Sequence, residues 1–153
     1  MLPKTHIILG LVFSLVLFNL FPKIGLLGFF TIWIATFMID IDHYLFYVFH
    51  KKDLNPKHAF KWFYEKNKYY LSLSKEQRKK ALTNPCLLHG IEALILVLIV
   101  AFFFNIFFFI LIGFLFHEFL DFVSITYYGF NYNHILSQTY NILNFKKSSN
   151  SAG

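Results

Sequence analysis

Long apolar stretches alternate with a single extended polar one. Four apolar runs follow in order: about Thr5 to Phe21, stopped by Pro22; Ile24 through Asp40, with helical spacing continuing to about His50; Pro85 to Phe104; and Ile106 to Tyr128, stopped near Gly129. Only Asn105 separates the last two. As one helix, Pro85 to Tyr128 would extend roughly 66 Å at about 1.5 Å per residue, about twice the hydrocarbon thickness of a bilayer, so the chain is expected to turn back at Asn105. The pattern predicts an all-α fold: an integral membrane bundle of four transmembrane helices, one domain over residues 1–145, with a helical loop at 51–84 and a disordered tail at 146–153. Within the loop, Asn55-Pro56 marks one helix start, and Ser74 with Gln77 fits a capping box for a second, shorter helix. Asn131 to Asn144 reads as a short interfacial helix.

Composition agrees with a membrane class. Hydrophobic residues make up 57% of the chain and charged residues only 14%, against the roughly 25% charged of a typical soluble domain. The opening Met1-Leu2-Pro3-Lys4 before an apolar run has the look of a secretory signal. The residues that follow the run, Leu20, Phe21, Pro22 and Lys23, offer no small-residue cleavage site, so a retained first span is expected. Cys86 is the only cysteine, which excludes an intrachain disulfide.

Charge sets the expected orientation. With four spans, both termini and the 51–84 loop share one side and carry 13 of the 14 Lys and Arg residues, leaving Lys23 on the other. The positive-inside rule makes that side cytoplasmic, in a multi-pass protein. Trp62, Phe63, Tyr64, Tyr69 and Tyr70 interleave with the loop lysines, as in a segment lying on a membrane surface against anionic headgroups. Topology already accounts for these basic residues, so no nucleic-acid role is inferred.

The ionisable residues are then placed oddly for a membrane protein. Five of the eight acids and four of the seven histidines lie in or at the edge of the apolar runs, although the loop had room for them. Each such charge costs roughly 2.5–3.5 kcal/mol at mid-membrane unless something compensates. His6 opens the first run; Asp40, Asp42 and His43 close the second; His89 and Glu92 fall in the first two turns expected of the third; His117, Glu118 and Asp121 lie in the inner half of the fourth. All sit at one depth, on the cytoplasmic side. Spacing also makes faces, with His117, Asp121 and Ser124 on one stripe and Asp40 and His43 three apart. Asp42 points away from Asp40 in a regular helix, so either the helix loosens there or one of the two acts indirectly. His50, His58 and His134 fall in loop or surface contexts and read as solvated.

Imidazoles mixed with carboxylates suit a divalent ion, zinc first, with manganese or iron as alternatives. An ion would also relieve the repulsion between carboxylates crowded in low dielectric. The expected ligands are His6, Asp40, His43, His89, His117 and Asp121, with Asp42 either shared or orienting a ligand. Glu92, Glu118 and Asp42 are the candidate catalytic carboxylates, with Glu92 or Glu118 as general base.

Thr5-His6, Asp40-Ile41-Asp42-His43, His89 and His117-Glu118-Phe119-Leu120-Asp121 together resemble the membrane-bound, metal-dependent hydrolases of the inner membrane. That family's pattern is T-H, P-D-x-D-H, H-R-G-x-T-H-S and H-x-x-L-D over successive spans. Here Met38-Ile39 replaces the proline of the second motif, and Asn84-Pro85-Cys86-Leu87-Leu88-His89-Gly90 keeps only the last histidine of the third. The resemblance implies an inner-membrane hydrolase, acting on phosphoesters by analogy with zinc phospholipase C. A lipid or other amphiphile fits the site's depth. Two other readings fit the polar layer or the loop: a non-enzymatic protein that carries protons or metal ions through the bilayer, and a small membrane scaffold that recruits anionic partners through the loop.

Overall fold

The computed structural model describes residues 3–81, 86–132 and 136–143, and among them the fold is all helical, with no strand. The helices are α1 (Pro3–Leu20), α2 (Gly25–Met38), α3 (Ile41–Lys51), α4 (Pro56–Ser72), α5 (Lys75–Lys80), α6 (Ile91–Ala101) and α7 (Ile106–Tyr128), with a short 3-10 turn, Pro22–Ile24, before α2. Residues 138–143 are also helical. The expected tail at 146–153, the residues Asn84 and Pro85, and His134 lie outside the described residues.

Two stretches are long and apolar enough to cross a membrane: Pro22–Lys51, which joins α2 and α3, and Ile106–Tyr128. The other two apolar runs form shorter helices. The third departs most from its expected extent, because only Ile91–Ala101 is helical, about 16 Å at 1.5 Å per residue. His89, expected within the first two turns of that helix, precedes it.

The centre of the bundle is α2, packed against α1 and α7, with α6 packed against α7. Two glycines allow the close approaches. A Cβ on Gly113 of α7 would lie 2.6 Å from both the Ala35 Cβ and the Ile32 carbonyl oxygen of α2, and one on Gly10 of α1 would lie 2.8 Å from Thr36 Cγ2. Gly113 stands four residues before His117, and Gly10 four after His6. Each close contact therefore sets its histidine against the same end of α2. Ala35, Ile39 and Phe114 form the buried apolar core there, with Leu88, Leu94, Val97 and Ile110 packed around it. Outward, Ile8, Val12, Leu26, Leu27, Phe30 and Ile34 stay exposed, a broad apolar surface.

The 51–84 segment forms the expected helices. Asn55 caps α4, its side chain accepting from the Lys57 amide with Pro56 in the first turn, and Ser74 and Gln77 form the capping box of α5. Arg78 donates to the Tyr128 carbonyl at 2.6 Å, tying α5 to the end of α7.

Candidate metal centre

The centre is built around a break in the second apolar stretch. After Met38 the helix tightens: the Asp40 amide donates to the Phe37 carbonyl and the His43 amide to the Asp40 carbonyl, both three residues back. Such a turn leaves a carbonyl of the preceding helix without its usual partner. That carbonyl belongs to Thr36, and His117 Nδ1 donates to it at 2.7 Å. The same break turns both Asp40 and Asp42 inward, resolving the conflict a regular helix would impose.

The 86–90 segment supplies the next side chain. It is not helical, and its amides are bonded by side chains from elsewhere: Cys86 N to Gln138 Oε1 at 3.1 Å, Leu88 N to Asp42 Oδ2 at 2.8 Å, and Gly90 N to Glu118 Oε1 at 3.1 Å. Gly90, at φ 102, is the hinge that lets α6 begin immediately after. This path puts His89, fully buried, against His117.

A carbonyl oxygen can only accept, so His117 Nδ1 carries a hydrogen; His89 Nδ1, 3.2 Å from the Asp42 carboxylate, does likewise. With those hydrogens on Nδ1, the two Nε2 atoms face each other at 3.1 Å. Two imidazole nitrogens this close are held by a proton shared between them or by a cation beside them. Asp40 Oδ1 is 3.8 Å from each Nε2 and from His43 Nε2, and Asp121 Oδ2 is 3.6 Å from His117 Nε2 and 3.9 Å from His89 Nε2. Donors about 2.0–2.1 Å from a tetrahedral ion lie about 3.3 Å apart, within the spread seen here.

His6 completes the layer. Its ring stacks on His117 with centroids 4.1 Å apart, and its Nε2 is 3.3 Å from Asp121 Oδ1. Both of its ring nitrogens are buried without a hydrogen bond, as is Asp40 Oδ2. Buried polar atoms without a hydrogen bond are rare in folded proteins, and here they converge. Three overlapping groups have donor atoms within 4.8 Å of one another: His6, Asp40 and His117; His89, His117 and Asp121; and Asp42, His43, Cys86 and His89. These residues fit a divalent ion.

The remaining candidates separate cleanly. Glu118 bonds Gly90 with one oxygen and leaves Oε2 buried without a partner at the edge of the cluster. Glu92 is not brought to the centre: it accepts from Ser137 Oγ at 2.6 Å and from the Gln138 and Thr139 amides, capping the 138–143 helix. His50 is exposed and stacked on Phe46; His58 pairs with Asp53. Cys86, buried with Sγ 2.9 Å from His43 Nδ1, joins the cluster without having been expected. The Cys-x-x-His spacing from 86 to 89 was the available signal.

Outside the two stretches of membrane-crossing length, Asp53 stands out. The Asn55 amide, the Tyr47 hydroxyl and His58 all bond its carboxylate and hold it down at about 2. Burial in the loop lowers the Lys66 ammonium, which lies 4.9 Å from the Trp62 ring centroid.

Fold and site together define an all-helical protein with two membrane-crossing-length helices and a buried His/Asp/Cys cluster able to hold a metal ion. No protein-family model, curated protein or solved structure matches the chain.

Proposed function

We propose that this protein is a membrane-embedded, metal-dependent hydrolase of the inner membrane, a four-span bundle with its site at the cytoplasmic leaflet and a phosphoester of a lipid or similar amphiphile as substrate. The observation that carries this reading is the pair of facing Nε2 atoms of His89 and His117, ringed by Asp40, Asp121 and the buried His6. A third crossing is completed by the non-helical 86–90 segment before α6, backbone that a bilayer tolerates only where it lines a polar interior. In this topology the basic loop, the start of α1 and the polar layer share one side, which the positive-inside rule makes cytoplasmic.

His6, Asp40, His43, His89, His117 and Asp121 would hold the ion, zinc first by its taste for imidazole and carboxylate. A bound divalent ion supplies Lewis acidity and brings the pKa of its water toward neutrality. Asp42 fixes the tautomer and tilt of His89, as the Thr36 carbonyl does for His117. Glu118, with one oxygen anchored and the other unpartnered, is the group placed to take up a proton. The lysines of α4 and α5 draw an anionic headgroup to the membrane surface beside the site.

Ion carriage is the weaker reading. Away from the centre, Ser14, Asn19 and Thr31 each bond a carbonyl of their own helix, so no polar path continues toward the other leaflet among the described residues.

Metal analysis of the purified protein, followed by phospholipid hydrolysis with and without chelator, tests the proposal. Stoichiometric metal, lost together with hydrolysis in His117→Ala, is expected. Wild-type protein that folds without metal and leaves every phosphoester intact would overturn it.

A further inference from the structure

The cluster extends past the donors that one ion would use, and the excess lies on one side. His89 stands in the middle, with Nε2 toward His117 and Nδ1 toward Asp42. Beyond it are Asp42, His43 and Cys86, which with His89 bring four donor atoms within 4.8 Å of one another. Cys86 is 2% exposed and its sulfur is 2.9 Å from His43 Nδ1. The Asp42 carboxylate is divided: Oδ2 accepts from Leu88 N and lies against His89 Nδ1, while Oδ1 is buried with no hydrogen bond. Asp42 itself is 6% exposed, so Oδ1 has no ready access to bulk water.

From this arrangement we infer that the centre has a second ion position, made by the Cys86 thiolate, a His43 imidazole nitrogen and an Asp42 carboxylate oxygen, separated from the first by the His89 ring. The inference rests on the metal-centre reading above and specifies its chemistry. A thiolate donor excludes magnesium, calcium and manganese as the favoured occupant and selects a borderline or soft ion such as zinc, for which cobalt(II) is a spectroscopic stand-in. On binding, the Cys86 thiol gives up its proton to solvent, and the sulfur-metal bond replaces the contact with His43. His43 would then serve the second position through Nδ1 and face Asp40 through Nε2, 3.8 Å away. The two positions are coupled through His43 and His89, so filling one fixes rings that the other uses.

The test is cobalt(II) titration of the full-length chain in detergent after chelator treatment, followed by absorption spectroscopy. Wild type is expected to take two equivalents and to show sulfur-to-cobalt charge-transfer absorption in the near ultraviolet. Cys86→Ser should take one equivalent without that band, and Cys86→His should recover two equivalents, still without it. Circular dichroism identifies any variant that fails to fold, and the wild-type stoichiometry and band decide the matter without the variants. One equivalent in wild type with no sulfur band overturns the second position while leaving the first intact; no uptake at all overturns both it and the metal-centre reading.

Discussion

The bundle centre and the basic segment around α4 and α5 handle charge differently. In that segment Asp53 gathers Asn55, Tyr47 and His58 within a few residues and Lys66 lies over the Trp62 and Tyr70 rings, with Arg78 reaching further, to the Tyr128 carbonyl. In the centre the partners come from α1, the α2–α3 break, the 86–90 segment and α7, up to about a hundred residues apart, and several donors remain unbonded. Local satisfaction makes a stable surface; non-local, incomplete satisfaction makes a site.

The sharpest way to break this contrast is at the helix contact that assembles the centre. Gly113→Val forces a side chain into the 2.6 Å approach to Ala35 and Ile32, so α2 and α7 must separate. Overpacking of this kind costs about 1–3 kcal/mol, and metal uptake should be lost while the helicity of α4 and α5 persists, as metal analysis and circular dichroism would report. Asp42→Asn weakens the orientation of His89 and should lower metal affinity about 10- to 100-fold, readable by competition with a chelator. Substituting Lys61 and Lys68 by Ala should leave metal content unchanged and weaken association with anionic vesicles by about 1 kcal/mol per residue near the surface, an effect that disappears at high salt. Smallest is the acid response of Asp53, just before α4. Because the folded Asp53 is held at about 2 and its ordinary value is 3.8, its contribution is complete above about pH 4 and fades as pH falls toward 2. Asp53→Asn should abolish that acid-dependent component in a pH series of thermal unfolding curves; persistence of the component would assign it to another group.

Much of the architecture was readable from pattern. Asn105 does separate the last two helices, Gly129 follows the end of α7 in a left-handed conformation, and the Asn55 and Ser74 caps form where side-chain chemistry required them. Such features depend on neighbours within about four residues, which a sequence displays directly. The third run was not readable in the same way. Its first residues are apolar enough for a helix, but their amides are taken by Asp42, Glu118 and Gln138, and Gly90 permits the turn. Glu92 looked like a site residue for the same reason: its depth was visible, while its hydrogen bonds to Ser137, Gln138 and Thr139 were not.

The amino-acid order alone determined that costly polar side chains recur near one level of otherwise apolar helices, because burial cost and helical spacing are local quantities. Only the tertiary structure decided which of them meet. The break at Asp40, the glycine contacts at Gly10 and Gly113, and the side-chain-bonded path through 86–90 bring His6, Asp40, His43, His89, His117 and Asp121 together and add Cys86. A convergence of that kind is set by the relative placement of helices, which no single stretch of sequence encodes.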